Sequence, residues 1–142
     1  MFAAERDRGC WLSGKPLQLG LDAAGKLPSA ILAVNIGDYG PRGEYGLAVA
    51  RGDELASGTQ WEARLSGCLA LDLAWVAAGR VGAYCGRAGS GDWDWAAGKL
   101  LVECAGGAVA ILDIAPAALI AGRPKDVDAI KLAVLRVIEG AT

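Results

Sequence analysis

One stretch, residues 93–107, constrains the fold of this chain more than any other part of its sequence. Asp92 and Asp94 place negative charge where a helix would begin, and the unpaired N–H groups and positive dipole end of a helix N-terminus favour such charge. Gly106 and Gly107 predict where this helix ends. Between these signals, apolar residues recur at helical spacing and predict one buried face. The predicted stripe consists of Trp93, Ala97, Leu100, Leu101 and Cys104.

Composition excludes several classes of protein. The 142 residues suffice for one domain, predicted over residues 1–142, and the 54% hydrophobic content excludes a disordered chain. A net charge of -2, with scattered Lys and Arg, predicts no nucleic-acid partner and no lipid-binding patch. The N-terminus has no signal-peptide pattern, and no apolar run reaches the ~18 residues of a membrane span. We therefore predict a cytoplasmic protein without a membrane partner.

Histidine is absent from the chain, and this limits its chemistry. The absence removes histidine general bases, Ser-His and Cys-His nucleophiles, and histidine-rich zinc sites. Any catalysis must therefore come from carboxylates, a hard metal ion or lysine. The four cysteines form no C-x-x-C pair and lie far apart in sequence, so they are predicted to be buried free thiols that serve packing in a reducing compartment.

Helix and strand signals alternate in the second half of the chain, after a strand-rich first part, which predicts α/β layers. Residues 69–79 are apolar almost all round and predict a buried helix. Pro124 opens a last helix that ends near Gly140, and residues 46–55 are compatible with a further short helix. The stripe predicted for the last helix consists of Val127, Ile130, Val134 and Ile138. The predicted strands are residues 2–5, 10–12, 16–19, 31–36 (central in the sheet), 60–65, 81–85, 108–114 and 117–121.

Two motifs stand in register between residues 64 and 107. The first follows R-x-x-G-S/T-A-A-x-(D/N)-x-x-x-V-A-x-G-x-x-D-A-Y, and the second follows W-D-x-A-A-G-x-x-(L/I)-(L/V)-x-E-A-G-G. Together they closely resemble the C-terminal half of the inositol monophosphatase family. Residues 2–17 resemble, more weakly, that family's A-x-x-G-x-G-A-x-x-N-G-x-x-(I/L) hairpin. The matching residues are Arg64, Gly67, Ala70, Asp72, Val76, Ala77, Gly79, Ala83, Tyr84, Trp93, Asp94, Ala96, Ala97, Gly98, Ala105, Gly106 and Gly107.

The resemblance implies a fold, a reaction and a cofactor. The implied fold class is α/β, a layered αβαβα-type C-terminal half with a mixed sheet flanked by helices. The implied reaction is Mg²⁺-dependent, lithium-sensitive hydrolysis of a small phosphorylated metabolite. Asp94 corresponds to a metal ligand of the family, in keeping with the preference of Mg²⁺ for oxygen ligands. Gly67 and Cys68 are implied to lie beside the substrate, and Gly86 with Arg87 takes the place of a glutamate that contacts substrate hydroxyls in some members.

The sequence departs from the family mainly in what it lacks. Members carry most of their metal site in an N-terminal half, on a glutamate and an Asp-Pro-x-Asp-Gly-Thr/Ser motif, and no such motif occurs in residues 1–142. We therefore expect a half-protein, inactive or very weak alone. The alternative is a non-catalytic interaction or assembly module, or one piece of a split enzyme, that pairs with itself as a homo-oligomer or with a separate N-terminal half. Local departures are Gly82 for an aspartate and Cys104 for the glutamate of E-A-G-G.

Structural alternatives accompany these functional interpretations. Asp94 is equally placed to cap a helix N-terminus, a role that contributes about 1 kcal/mol. Asp72 lies in a nearly all-apolar helix and is predicted to form a structural ion pair with Arg64 or Arg80. A helix start that needs a small residue would explain Gly67 and Cys68 equally well.

Two further features favour structural roles. The tryptophans Trp75, Trp93 and Trp95 are predicted to be core or interface aromatics rather than substrate platforms. The glycine-rich loop of residues 86–91 lacks the spacing and the Lys-Ser/Thr ending of a Walker motif, so it is not predicted to bind phosphate.

Overall fold

The computed structural model describes residues 1–19, 31–35, 61–114 and 117–140. The helix considered for residues 46–55 lies outside them. None of the helices in the described ranges is long and apolar enough to cross a membrane. The strands are β1 (Phe2–Glu5), β2 (Gly9–Leu12), β3 (Lys15–Pro16), β4 (Ile31–Val34), β5 (Glu62–Arg64), β6 (Ala83–Arg87), β7 (Ala108–Leu112) and β8 (Ala118–Gly122). The helices are α1 (Leu69–Ala77), α2 (Ala96–Cys104) and α3 (Pro124–Gly140), with a 3₁₀ turn, Asp92–Asp94, before α2.

The larger sheet has five strands in the order β5-β4-β6-β8-β7. Strand β4 is parallel to β5 and β6, whereas β8 is antiparallel to β6 and β7, so the sheet is mixed as predicted. The prediction that β4 is the central strand was wrong, because β7 and β8 add on the far side of β6 and make β6 central. A separate antiparallel sheet contains β1, β2 and β3.

The inner strands of the larger sheet are buried on both faces. Along β4, Leu32 and Val34 pack on one face, whereas Ile31 and Ala33 pack on the other. This division follows from the pleat, which points successive side chains to opposite faces. Strands covered on both sides need apolar residues at every position, which is why they read as continuous apolar runs instead of alternating ones.

Helices α1 and α2 lie between the two sheets. One core cluster joins Phe2 of β1, Leu73 of α1, Val102 of α2 and Tyr84 of β6. A second cluster lies on the other face of the five-stranded sheet, under α3. The described residues therefore form layers in the order sheet, helices, sheet, helix, which confirms the predicted layered α/β class.

Helix α3 closes the outer layer and contains a buried ion pair at its start. Arg123 donates from Nε to Oδ2 of Asp126 at 2.7 Å and from Nη2 to Oδ1 at 3.2 Å. Both side chains are buried, so this two-bond geometry provides partners for two desolvated charges. The predicted apolar stripe of α3 is confirmed, with Val127, Ile130 and Val134 buried and Ile138 half-buried.

Helix α2 is shorter than predicted, and its buried face is different. Trp93 lies in the 3₁₀ turn and is 79% exposed, and Ala97 is also exposed. Because the turn and Trp95, the N-cap residue, come before the first α-helical residue, a periodicity counted from Trp93 does not have the phase of α2. The predicted stripe was therefore wrong in part. The residues of α2 that are buried are Gly98, Leu101 and Val102.

The predicted end of α2 is confirmed. Gly106 has φ of +90°, a conformation that glycine adopts without a Cβ penalty. Its N–H donates to the carbonyl of Glu103 at 3.0 Å, and the N–H of Gly107 donates to the carbonyl of Val102 at 2.9 Å. These are the two hydrogen bonds of a Schellman motif, which terminates a helix after a left-handed residue.

The ion pair predicted for Asp72 is not formed. Asp72 is 2% exposed, and within the described segments no hydrogen bond or salt bridge connects it to Arg64 or Arg80. Arg64 instead pairs with Glu62 at 2.5 Å, because both side chains project from the same face of β5. Burial raises the pKa of Asp72, and a hydrogen bond from Ser66 opposes that rise.

All four cysteines are free thiols, as predicted, but they are not all buried. Cys10 and Cys85 are buried and Cys104 is half-buried, whereas Cys68 is exposed. Cys68 is the N-cap residue of α1 and so precedes the part of the chain that packs between the sheets. Its predicted packing role was wrong.

Helices α1 and α2 approach closely at Gly98. A Cβ placed at Gly98 would lie 2.5 Å from Cβ of Leu73, which is closer than two such atoms pack. Leu73 is fully buried, and it is fixed between the helices and the sheets. The glycine therefore sets the separation of the two helices in the middle layer.

We expect Gly98→Val to destabilise the fold by roughly 1–3 kcal/mol, because the added side chain must displace α1 from α2. Ala97→Val is the matched control, since Ala97 is exposed on the same helix. That substitution costs only the difference in helix propensity between alanine and valine, under about 0.7 kcal/mol. Urea unfolding measures both variants. Equal midpoints for the two variants would contradict the close contact.

Candidate metal-ligand loop

The loop between β6 and α2 positions Asp94. The Ala88 N–H donates to the Ala117 carbonyl at 2.9 Å. This bond ties the start of the loop to the residue immediately before β8. Gly89 then turns the chain with φ of +80°. The 3₁₀ turn closes with a hydrogen bond of 3.0 Å from the Asp94 N–H to the Gly91 carbonyl. The aspartate is thus held between a strand end and a helix start.

The Asp94 carboxylate accepts two hydrogen bonds from Ser90. Its Oδ2 lies 2.8 Å from the Ser90 backbone nitrogen and 3.1 Å from Ser90 Oγ. These bonds, the backbone one first, lower the pKa of Asp94 below its usual value, and Arg87 adds a smaller electrostatic effect in the same direction. The group is therefore ionised at neutral pH.

The helix-cap interpretation of Asp94 was wrong for α2. The N-cap residue of α2 is Trp95, and no side chain caps the helix there. The Asp94 carboxylate bonds back to the loop residue Ser90 instead. A Cβ at Gly89 would lie 2.6 Å from Oδ2 of Asp94, so this hydrogen-bonded arrangement requires glycine at that position.

Sequence reasoning missed Ser90 and Gly89 as the residues that orient the carboxylate. The available signal was the Gly-Ser-Gly run just before the W-D motif. That run matches no Walker motif, and its hydrogen bonds to the carboxylate depend on how the loop folds.

An ionised carboxylate suits a hard divalent cation, but one such ligand is not a site. Mg²⁺ takes six oxygen ligands in near-octahedral geometry and keeps several waters unless carboxylates and phosphates replace them. Across residues 1–19, 31–35, 61–114 and 117–140, no cluster of three or more metal-ligating side chains occurs. The described residues fit the ion only in part, through Asp94.

The substrate-side residues predicted by resemblance occupy two places. Gly67, with φ of +77°, and Cys68 form the turn before α1, where the Cys68 N–H donates to Ser66 Oγ at 3.0 Å. No hydrogen bond among the described residues links this turn to Asp94. Arg87 ends β6 and is close enough to affect Asp94 electrostatically. Of the three, only Arg87 is thereby brought near the carboxylate, and substrate binding by all three remains a prediction.

The packing at Gly86 leaves little room for a side chain. A Cβ at Gly86 would lie 2.6 Å from the Tyr84 hydroxyl and 3.0 Å from the Asn35 backbone nitrogen. The Tyr84 hydroxyl donates to the Arg87 carbonyl at 2.9 Å and so fills this space. A larger side chain at Gly86 would displace that hydroxyl.

The tryptophans differ in their surroundings. Trp75 and Trp95 are half-buried against the core between the sheets, so their predicted core role is confirmed. Trp93 is not part of that core: it is exposed, and its ring lies against Gly91 beside Asp94. An interface role for Trp93 remains a prediction.

We expect Ser90→Ala to raise the pKa of Asp94 part of the way to its ordinary value, because the hydroxyl bond is lost and the backbone bond remains. Carboxyl-carbon NMR titration of Asp94 measures the change. Because the folded-state pKa is lowered, the bond from Ser90 stabilises the fold above the unfolded pKa and is lost as pH falls through the folded one. The control is Ser66→Ala, which should leave Asp94 unchanged. An unaltered Asp94 titration in Ser90→Ala would contradict the assignment.

Comparison with known proteins places this geometry in one family. The model of the inositol monophosphatase family matches residues 1–133. An inositol-1-monophosphatase of Caulobacter vibrioides is 33% identical over 115 residues, which are 80% of this chain and 43% of that protein. The Nus factor SuhB of Escherichia coli is 56% identical over 46 residues, 32% of this chain and 17% of that protein.

Solved structures agree. The extragenic suppressor protein suhB of Bartonella henselae has a TM-score of 0.73 and 29% identity, and the match covers 94% of this chain and 51% of that one. The inositol monophosphatase of Anabaena has a TM-score of 0.68 and 26% identity, with 95% and 54% covered. The chain thus spans about half the length of these solved relatives and 43% of the Caulobacter protein. On the match over residues 1–133, the chain belongs to the inositol monophosphatase family.

Proposed function

We propose that this chain is the C-terminal half of a Mg²⁺-dependent phosphate monoester hydrolase and that it is inactive, or very weakly active, alone. Family membership supports phosphatase-type chemistry. The observation that carries the proposal is Asp94: an ionised carboxylate, oriented by Ser90, that belongs to no cluster of three or more metal-ligating side chains in the described residues. The Asp-Pro-x-Asp-Gly motif is also absent from the sequence.

The physical reason for low activity is that a single half-buried carboxylate binds a divalent ion only weakly. When bound, Mg²⁺ supplies charge neutralisation on the phosphate and activation of water. A single ligand neither fixes the position of such an ion nor orients a substrate toward it. The role supported for Asp94, Ser90 and Gly89 is therefore to present one pre-oriented ligand to a site completed by other groups.

The substrate class that we propose for the completed protein is a small phosphorylated metabolite. The matched relatives are named inositol monophosphatases. In this chain, packing excludes a large side chain at Gly86. Because residue 86 is glycine, it offers no carboxylate to bind substrate hydroxyls.

We expect the purified chain to release no phosphate from inositol 1-phosphate in the presence of Mg²⁺ beyond the rate of Asp94→Asn. Colorimetric phosphate release measures this, and a full-length inositol monophosphatase serves as the positive control. Robust Mg²⁺-dependent release that Asp94→Asn abolishes would overturn the proposal of inactivity.

A second candidate function is that of an assembly module that pairs with itself or with a separate N-terminal half. One exposed aromatic side chain and one group of apolar residues around a cavity favour it. Trp93 is 79% exposed beside Asp94, and Leu65 is 55% exposed at the mouth of a cavity lined also by Leu71 and Trp75. Large exposed apolar side chains grouped in this way are typical of interaction surfaces.

We expect the chain to form an oligomer, or to bind the N-terminal half of the Caulobacter relative, with at least a several-fold loss of association in Trp93→Ala. Light scattering and pull-down measure the two cases. Leu132→Ala is the matched control, because Leu132 is also exposed but lies on α3. A strictly monomeric chain that binds neither that half nor a hydrophobic dye would contradict this role.

A further inference from the structure

Two cysteines lie near each other where the β1–β2 hairpin packs on the end of α2. Cys104, the last residue of α2, donates from Sγ to the carbonyl of Glu5 at 3.8 Å. Cys10, in β2, donates from Sγ to the carbonyl of Leu17 at 3.6 Å. Neither contact belongs to the Asp94 loop, and the family match assigns these thiols no role.

The strand register places these cysteines close together. Glu5 pairs with Gly9 and Ala4 pairs with Cys10, so the carbonyl that Cys104 contacts belongs to the residue pair next to Cys10. Cys10 is part of the core cluster against which Cys104 packs, so both thiols lie on the α2 side of the sheet. Burial raises the pKa of the Cys10 thiol, and the neighbouring Cys104 thiol raises it further, in agreement with this proximity.

The two thiols differ in their access to solvent. Cys10 is 3% exposed, whereas Cys104 is half-buried and borders a cavity of about 400 Å³. The cavity is lined by Arg6, Asp7, Gly9, Leu100, Glu103 and Cys104. A small oxidant therefore reaches Cys104 first. An accessible thiol beside a second, protected one is the arrangement in which a sulfenic acid is converted to a disulfide.

We propose that Cys104 is a peroxide-reactive thiol and that Cys10 resolves its oxidised form into a Cys10–Cys104 disulfide. The sulfur of Cys104 attacks one peroxide oxygen and the O–O bond breaks, which gives a sulfenic acid and hydroxide; the hydroxide takes the thiol proton and leaves as water. The sulfur of Cys10 then attacks the sulfur of Cys104. The S–S bond forms, the S–O bond breaks, and the hydroxide takes the Cys10 proton as a second water.

The net change consumes two thiols and one hydrogen peroxide, oxidises the sulfurs and yields one disulfide and two waters. Its second step relies on the neighbouring positions of the two cysteines, since an intramolecular attack competes well with a thiol in solution. The product would covalently join the three-stranded sheet to the end of α2. This inference does not depend on the proposed function, because it concerns the opposite end of α2 from Asp94.

The experiment is peptide mapping of the full chain after brief treatment with hydrogen peroxide under native conditions, quenched with acid and alkylated. Each cysteine lies in its own tryptic peptide, residues 9–26, 65–80, 81–87 and 100–125. We expect a cross-linked species of peptides 9–26 and 100–125, two hydrogens lighter than their sum. Cys85 is the internal control, because it is fully buried in the other core cluster, away from Cys10 and Cys104, and should stay reduced.

Variants separate the two roles. In Cys10→Ser, Cys104 should accumulate as a sulfenic acid that dimedone traps, with loss of the cross-link. Cys104→Ser should leave Cys10 fully alkylatable, and Cys68→Ser, which removes the exposed thiol, should cross-link as the unmodified chain does. Circular dichroism shows whether each variant is folded. If Cys10→Ser unfolds, the presence or absence of the Cys10–Cys104 cross-link in the unmodified chain still tests the proposal. Full alkylation of Cys10 after Cys104 has been oxidised, or a disulfide that joins any other pair, would overturn the proposal.

Discussion

The contact between Gly98 and Leu73 is the constraint on which the layered structure depends. A helix pair that is to lie between two sheets must be thin enough for both sheets to reach the same core, and a glycine at the crossing permits this. Leu73 then contributes to a cluster that contains residues of both sheets. The helix crossing, and not the periodicity of the sequence, determines which face of α2 is buried. Gly98, the smallest residue of the helix, lies on that buried face with Leu101 and Val102.

The same helix connects the core to the Asp94 loop. Its N-terminal end follows the 3₁₀ turn that carries Asp94, and its C-terminal end, terminated by Gly106, contacts the hairpin through Cys104. The carboxylate is therefore oriented twice, by its position before a packed helix and by two hydrogen bonds from Ser90. A ligand held in this way loses little freedom on meeting a cation, which is the property that a metal site needs from each contributor.

Most of the fold was predictable because its signals are local. Glycine and proline set the ends of α2 and α3, and the apolar runs of β4, β6 and β8 indicated buried strands. The errors arose where the tertiary structure decides. The 3₁₀ turn shifts the phase of α2. The strands β7 and β8 lie beyond β6, so β4 is not the central strand. Arg64, one of the two partners predicted for Asp72, forms its ion pair with Glu62. For the site, the resemblance pointed to Asp94, but a pattern of residues contains no information on the hydrogen bonds from Ser90 or on the exposure of Trp93.

The burial of β6 on both faces separates the stability of this fold from its chemistry. Every residue from Ala83 to Gly86 is buried in a packed interior, whereas the loop that follows carries the Asp94 carboxylate and is tied to the residue before β8 by the backbone bond of Ala88. Substitutions in the loop from Gly89 to Asp94 alter the candidate ligand and leave the two core clusters intact, since neither cluster contains these residues. Proteins with this scaffold can therefore lose, exchange or regain the reaction while they continue to fold. Selection for folding alone does not preserve the residues of the loop.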